Sequence, residues 1–174
     1  LGVLHTICDE SLKTLETYGS EYEKVQKVST PESTLSDPSV NLVAIAAPAV
    51  RHYDLARKAL FAGKDVFVEK PLCLEIREAE DLIALAKDKN RILMVGHLLQ
   101  YHPCITRLLI LIGQGELGKL YYVTSNRLNL GKIRREENAL WSFAPHDISV
   151  LMSLAGNEIP DHVRCVGEDY LSKG

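Results

Sequence analysis

Two residues of this sequence have side chains that can hold or transfer a proton beside a bound molecule. Lys70 lies two residues after the predicted strand 65–68, at the carboxyl end of that strand, where doubly wound sheets place their ligands. His146 precedes a predicted helix at 147–154, and an unperturbed imidazole titrates near pH ~6.5, which suits a general base. The alternatives are a solvated lysine beside Glu69 and a histidine that only caps a helix. The sequence therefore predicts Lys70 and His146 as catalytic residues.

Further residues are candidates for binding. Asp9 ends the predicted strand 4–8, and an acid there binds an adenosine ribose in dinucleotide-binding folds, although an aspartate that caps the next helix is an equal alternative. His97 follows the predicted strand 91–96, where a structural histidine is as good an interpretation. A basic stretch offers bidentate bonds to a diphosphate or a carboxylate, although such stretches are ordinarily solvated strand faces. Its polar members are Arg127, Asn129, Lys132, Arg134 and Arg135.

The elements that must position these residues alternate between strands and helices up to residue 96. The predicted strands are 4–8, 27–29, 41–47, 65–68 and 91–96. The predicted helices are 11–18, one that starts at Thr30-Pro31, 50–62 and 75–89. The continuous apolar run 41–47 is typical of a parallel strand covered on both faces. Repeated strand–helix–strand units predict an α/β fold with a parallel sheet and right-handed crossovers.

The pattern changes after His97. The sequence predicts an apolar helix at 103–112, a long strand at 119–129, a charged loop at 131–141, a helix that His146 opens, and a strand at 163–166. We therefore predict two domains, 1–100 and 101–174, with the boundary near 97–103.

One glycine motif matches a cofactor-binding pattern but has the wrong elements on either side. The stretch 113–118 fits the G-x-G-x-x-G string of dinucleotide-binding loops. A phosphate-binding loop follows a strand and opens a helix, whereas these glycines follow a predicted helix and precede a predicted strand. We therefore predict a helix end and a turn at this position.

Composition excludes several classes of protein. The 174 residues carry a net charge of −3 with a pI near 6.1, which offers no basic surface for nucleic acid. No apolar run approaches the ~20 residues that span a bilayer. The four cysteines are scattered without a Cys-x-x-Cys pair, which favours a reducing, cytoplasmic setting. A zinc site at His97, His102 and Cys104 would need a fourth ligand, so no metal is predicted.

Three segments together carry a family resemblance. They are Ala46-Ala47-Pro48-Ala49-Val50-Arg51-His52, then Ala62-Gly63-Lys64-Asp65-Val66-Phe67-Val68-Glu69-Lys70-Pro71, and Val95-Gly96-His97 with the later turn Gly115-Glu116-Leu117-Gly118. The chain resembles the glucose–fructose oxidoreductase, inositol dehydrogenase and rhizopine-catabolism (Gfo/Idh/MocA) family of nicotinamide-dependent sugar oxidoreductases. The resemblance implies a Rossmann domain that binds NAD, or NADP, followed by part of a mixed α+β substrate domain.

Relative to that family pattern, the chain is expected to be truncated at both ends. It begins at Leu1 without the family's first strand, glycine loop and first helix, and it lacks most of the C-terminal sheet. The first strand is central in the usual strand order, so we expect a gap in the sheet, with unpaired backbone groups on either side.

The resemblance also implies roles for individual residues. Lys70 would contact the reacting hydroxyl, followed by a proline that is often cis, and Glu69 would lie near the nicotinamide ribose. The cofactor-binding residues would be Asp9, Ala47, Pro48, His52, Glu69, Lys70 and His97. His146 would be the general base. The family carries an acid four positions earlier that orients this histidine, and Ser142 stands there in this chain, so the orienting carboxylate is either absent or supplied by Asp147. The substrate-binding residues would be Lys70, His97, Arg127, Asn129, Trp141, His146 and Asp147.

The segments 125–134 and 140–148 are most similar to the branch that oxidises UDP-N-acetylglucosamine, or its uronate, at C3. On that interpretation Trp141 stacks on a sugar or uracil ring, although a lone tryptophan usually packs in a core. The alternatives are a dehydrogenase of free sugars or polyols such as inositol, and a catalytically silent binding or assembly module. The resemblance implies a homo-oligomer when the chain is full length, with a small-molecule sugar substrate and no membrane partner.

Overall fold

The computed structural model describes residues 3–22, 24–128 and 138–168. The chain divides into two compact units, Leu1–Gly96 and His97–Gly174. The first unit has a Rossmann-like arrangement of parallel strands and helices, as the sequence predicts. The regular secondary structure in the described part of the second unit is helical.

All five strands of the first unit run parallel to the strands beside them. They are β1 (Thr6–Cys8), β2 (Gln26–Val28), β3 (Leu42–Ile45), β4 (Asp65–Val68) and β5 (Leu93–Val95). They form two sheets, β1-β2 and β3-β4-β5, instead of one. No described residue bridges β1 to β3 with strand hydrogen bonds, so the sheet has the gap that the sequence predicts.

Four α-helices connect these strands. They are α1 (Leu12–Gly19), α2 (Pro31–Ser36), α3 (His52–Phe61), which follows a 3₁₀ turn at Ala49–Arg51, and α4 (Ile76–Asp88). Ser11 caps α1 because its hydroxyl accepts a hydrogen bond from the Thr14 backbone N–H at 3.2 Å. Gly63 ends the α3 region at φ +72°, a conformation that a residue with a Cβ rarely adopts.

The hydrophobic core of the first unit lies between the three-stranded sheet and helices α3 and α4. Its fully buried members come from β3, β4 and both helices, and they are Ile45, Ala56, Ala59, Leu60, Val66, Val68, Leu82 and Ala86. The prediction that β3 is covered on both faces is wrong, because Leu42 is 57% exposed and Ala44 is exposed as well. Burial alternates along β3 because α3 and α4 pack on one face of its sheet only.

The second unit contains a 3₁₀ turn at Leu98–Tyr101, α5 (Pro103–Gly113) and α6 (Ala139–Leu154). The helix predicted at 103–112 is confirmed. The glycine stretch after it is a turn, with Gly115 and Gly118 at positive φ, so the prediction of a helix end is also confirmed.

Three predictions for the second unit are wrong. Residues 119–128 and 163–166 form no strand, because a strand needs a hydrogen-bonded neighbour and no described residue pairs with them. Helix α6 begins at Ala139, within the predicted loop, because Asn138 caps it there by accepting a hydrogen bond from the Trp141 N–H at 3.0 Å. His146 therefore lies inside this helix and does not open it.

Candidate active site

The carboxyl ends of the strands in the first unit bring several predicted site residues to one sheet edge. Asp9 follows β1, Pro48 follows β3, and Lys70 follows β4. The neighbouring ends are joined by backbone bonds, because the Glu69 N–H donates to Ile45 at 2.9 Å and the Gly96 N–H donates to Val68 at 2.8 Å. Parallel strands make this edge the usual ligand site of an open α/β sheet.

Glu69 and Lys70 lie at the centre of this edge. Both are half-buried, and the Lys70 backbone N–H lies 3.3 Å from the Glu69 carboxylate, to which it donates. The Lys70–Pro71 peptide bond is cis, as the resemblance leads us to expect. A lysine ammonium at a strand end can donate hydrogen bonds to an oxygen of a ligand.

Gly96 is a site residue whose role the sequence does not reveal. A Cβ placed on Gly96 would lie 3.2 Å from the carboxyl carbon and from both oxygens of Glu69. That distance is shorter than an ordinary van der Waals contact, so a side chain on residue 96 would require the Glu69 carboxylate to shift by a few tenths of an ångström. The signal in the sequence was limited to Gly96 standing at the end of the strand before His97.

His52 is buried beneath the same edge, with only 1% of its surface exposed. Its Nδ1 lies 2.6 Å from the Pro71 carbonyl oxygen, and its Nε2 lies 2.7 Å from the Ala47 carbonyl oxygen. The ring therefore links the segments that follow β3 and β4. Its predicted contact with a cofactor stays a prediction.

A cavity of about 540 Å³ runs along β3 to the carboxyl edge of the sheets. Its lining includes Asp9 from the end of β1 and Ala47 and Pro48 from the end of β3. The Asp9 carboxylate accepts a hydrogen bond from the Ser11 N–H at 2.8 Å, so it orders the turn before α1, while Ser11 itself caps the helix.

Two other residues complete the lining at this edge. Arg51 was not predicted, and its guanidinium lies 3.9 Å from the Glu10 carboxylate. Both side chains are more than half exposed, so this ion pair stabilises the fold little. Burial raises the pKa of the Cys8 thiol, which makes it a poor nucleophile.

The second unit carries a separate polar cluster around Asp147. The Arg127 guanidinium donates to both carboxylate oxygens of Asp147, at 2.6 and 3.2 Å, and the Ser125 hydroxyl donates to the same carboxylate at 3.0 Å. These hydrogen bonds, Arg127's first, lower the pKa of Asp147. Arg127 and Asp147, both predicted to bind the substrate, are thus paired with each other. Ser125 is a further member of this cluster, and its position two residues before Arg127 is the signal that could have indicated it.

His146 immediately precedes Asp147 on α6 and is half-buried, about two turns from the helix end at Leu154. Trp141 lies in the first turn of the same helix and is 39% exposed, so it is not a core tryptophan within the described residues. Ser142 occupies the next position and donates its backbone N–H to the Asn138 carbonyl.

The segment after His97 is tied to α6 by Gln100, which the sequence analysis missed. The Gln100 side-chain amide donates to the Ser149 carbonyl at 2.6 Å and accepts from the Ser153 hydroxyl at 2.9 Å. His102 accepts a hydrogen bond from the Cys104 N–H at 3.2 Å and so caps α5. Over the described ranges, no three histidine, cysteine or acidic side chains are grouped closely enough to hold a metal ion.

Some predicted binding residues lie outside the described residues. They are Asn129, Lys132, Arg134 and Arg135. In the ranges that the structure describes, no helix has the length and apolar character to cross a bilayer.

Comparison with known proteins matches this geometry to one family. Residues 3–97 match the family model described as an oxidoreductase family with an NAD-binding Rossmann fold, GFO_IDH_MocA. A UDP-N-acetylglucosamine 3-dehydrogenase of Acidithiobacillus ferrooxidans is 33% identical over 74% of this chain and 40% of its own length. A scyllo-inositol 2-dehydrogenase (NAD⁺) of Bacillus subtilis is 30% identical over 82% of this chain and 44% of its own.

A solved structure from Klebsiella pneumoniae is 31% identical to this chain, with a TM-score of 0.73 over 88% of this chain and 43% of that one. The chain thus spans about two fifths of the length of the curated relatives that it matches.

Proposed function

We propose a function from the premise that this chain belongs to the Gfo/Idh/MocA family of oxidoreductases. The whole protein oxidises a secondary hydroxyl of a sugar and uses NAD or NADP as the acceptor. The substrate that we propose is a UDP-linked N-acetyl aminosugar or its uronate, oxidised at C3. A relative named for this reaction at 33% identity supports the substrate, and the position of Lys70 at the end of β4 carries the chemistry.

The residues at the sheet edge fit a dinucleotide. The Asp9 carboxylate and the small apolar surface of Ala47 and Pro48 lie at the carboxyl ends of β1 and β3, which suits an adenosine ribose and its base. We propose that these three residues hold the adenosine half, while Glu69 holds the nicotinamide ribose. NAD(P), when bound, accepts the two electrons removed from the alcohol.

Lys70 is the residue that we propose beside the reacting oxygen. Its ammonium donates hydrogen bonds and carries positive charge, so it orients the hydroxyl and stabilises the oxygen as its proton leaves. The Pro71 carbonyl after it is held by His52, and the Glu69 carboxylate before it lies where Gly96 leaves space for it. Lys70 is therefore attached to a rigid segment, which favours a fixed geometry at the reacting atom.

His146 is the proposed general base, on the resemblance and on its titratable ring. Asp147, which follows His146 in sequence, binds Arg127 and Ser125 through its carboxylate. We propose that Arg127, held in one orientation by Asp147, binds the diphosphate or the uronate. A guanidinium has five N–H donors, and Asp147 engages only two of its nitrogens.

The experiment that tests this function is a comparison of substrates in the whole protein. NADH or NADPH formation is followed with UDP-N-acetylglucosamine, its uronate, free N-acetylglucosamine and scyllo-inositol. We expect saturable turnover with a UDP-linked sugar and little with the free sugars. Turnover restricted to free sugars would contradict the proposed substrate class, and no turnover with any of them would contradict the proposed activity.

A second candidate is oxidation of a free polyol, which the 30% identity to a scyllo-inositol dehydrogenase favours. Saturation by scyllo-inositol with indifference to UDP-sugars would support it.

A third candidate function is that of a catalytically silent module, because Ser142 stands where the family pattern carries an acid. Calorimetric titration of the whole protein with NAD and NADP distinguishes this module from a dehydrogenase, since a silent module binds neither cofactor.

A further inference from the structure

His52 is in an unusual hydrogen-bonding position for a neutral histidine. Both of its ring nitrogens lie against backbone carbonyl oxygens, Nδ1 at 2.6 Å from Pro71 and Nε2 at 2.7 Å from Ala47. A carbonyl oxygen can only accept a hydrogen bond. A neutral imidazole has one N–H and one lone pair, so it can donate to only one of these two oxygens and would direct a lone pair at the other.

We infer that His52 is an imidazolium that donates to both carbonyls and so positions Lys70, the residue on which the proposed function depends. The doubly protonated ring is the only form of histidine with two N–H donors, and each bond is then charge-assisted. In this role His52 is a positioning residue, since its surface is 1% exposed and both nitrogens lie against carbonyl oxygens of the protein.

The charge on the ring has an opposing and a supporting contribution nearby. His52 is the first residue of α3, and the N-terminus of a helix disfavours a cation. Asp54 lies in the same first turn and offsets that effect. The two carbonyl dipoles point their negative ends at the ring from opposite sides and replace the hydration that burial removes.

The position of the two carbonyls explains what the ring holds together. Backbone hydrogen bonds join β3 to β4, and the last of them is the bond that the Glu69 N–H donates to the Ile45 carbonyl oxygen. The His52 ring joins Ala47 and Pro71, each two residues further along its strand. It thus extends the connection past the strand ends and fixes the peptide that carries Lys70. The sequence cannot show this, because Pro71 is 19 residues from His52.

The protonation state is tested directly by nuclear magnetic resonance of the ¹⁵N-histidine-labelled chain near neutral pH. The ring signals of His52 are assigned by their loss in His52→Gln. We expect two ring nitrogens, each with a directly bonded proton protected from solvent exchange. One protonated and one bare ring nitrogen would overturn the inference, and this measurement does not depend on the activity of the protein.

The positioning role is tested by kinetics of the whole protein. Both N–H donors of a glutamine amide are on one nitrogen, whereas the two carbonyls face different nitrogens of the His52 ring. His52→Gln should therefore lower kcat by about 10²-fold with little change in KM, as expected when a reacting group is misplaced. Tyr53→Phe is the matched control, because Tyr53 is the next residue of α3 and bonds Asp81 instead.

Unchanged kcat in a folded His52→Gln protein would overturn the positioning role. A wild-type protein without turnover would contradict the proposed function instead, while the ring spectrum would still decide the protonation state. If His52→Gln fails to fold, the wild-type spectrum decides the same question, with the His52 signals assigned from their contacts with Ala47 and Pro71.

Discussion

The carboxylate of Glu69 lies against Gly96 so closely that a Cβ on Gly96 would come within 3.2 Å of three carboxyl atoms. The two residues end neighbouring parallel strands, so the sheet itself brings them together. The missing side chain of Gly96 leaves space for the carboxylate that precedes Lys70, so a larger residue at position 96 should affect both binding and stability.

Gly96→Ala should displace the Glu69 carboxylate. We expect NAD(P) binding by the whole protein to weaken and the free energy of unfolding to fall by about 1–3 kcal/mol, the usual cost of overpacking. Calorimetry and urea unfolding measure the two effects. Gly113→Ala is the matched control, because a Cβ there meets nothing within 4 Å. Equal behaviour of the two variants would contradict the role of this contact.

The Arg127–Asp147 pair should make the second unit sensitive to acid. The pKa of Asp147 is lower in the folded state than the ~3.9 of an unfolded aspartate, so the pair stabilises the fold fully above that value. The contribution is lost as the pH falls through the lowered pKa. Unfolding of Asp147→Asn and wild type, compared from about pH 6 to about pH 2, should differ at the upper end and converge at the lower. A difference in the free energy of unfolding that does not change with pH would contradict this prediction. Asp161→Asn, at an exposed position, is the control.

Truncation of the core should destabilise the first unit strongly. Leu60 is 0% exposed and packs among residues of β4 and α4, so Leu60→Ala should cost about 2–5 kcal/mol in urea unfolding. Ile83→Ala removes a side chain that is 59% exposed and should cost much less. Similar losses for the two variants would mean that the core does not lie between α3, α4 and the sheet.

The start of α6 depends on Asn138. Asn138→Ala removes the acceptor for the Trp141 N–H and should cost about 0.5–2 kcal/mol. Thr30→Ala is a suitable comparison, because Thr30 precedes α2 without a side-chain capping bond and its loss should cost little. Circular dichroism during thermal unfolding measures both, and an equal effect would argue against the cap.

The sequence predicts the first unit well because its signals are local. The strand at 65–68 is placed to the residue, and the helix predicted at 75–89 is observed as Ile76–Asp88. The strands predicted at 119–129 and 163–166 fail because alternation of apolar residues does not supply a pairing partner. The helix predicted to begin at His146 fails because Pro145, which is typical of a first helical turn, lies inside a helix that Asn138 starts earlier.

The candidate site was predictable where a single strand end determines it, as for Asp9 and Lys70. The contacts that hold those residues were not predictable. Glu69 meets Gly96 across 27 positions of sequence, and His52 reaches Pro71 across 19. Such pairs depend on the register of neighbouring strands, and the sequence alone does not give it.

The role of Lys70 at the reacting hydroxyl is tested most directly by kcat of Lys70→Ala in the whole protein with UDP-N-acetylglucosamine and its uronate. We expect a fall of about 10²–10⁴-fold, the usual contribution of a positioned acid–base group. Lys87→Ala, on the exposed side of α4, should leave kcat unchanged. A kcat for Lys70→Ala equal to that of wild type would contradict this role.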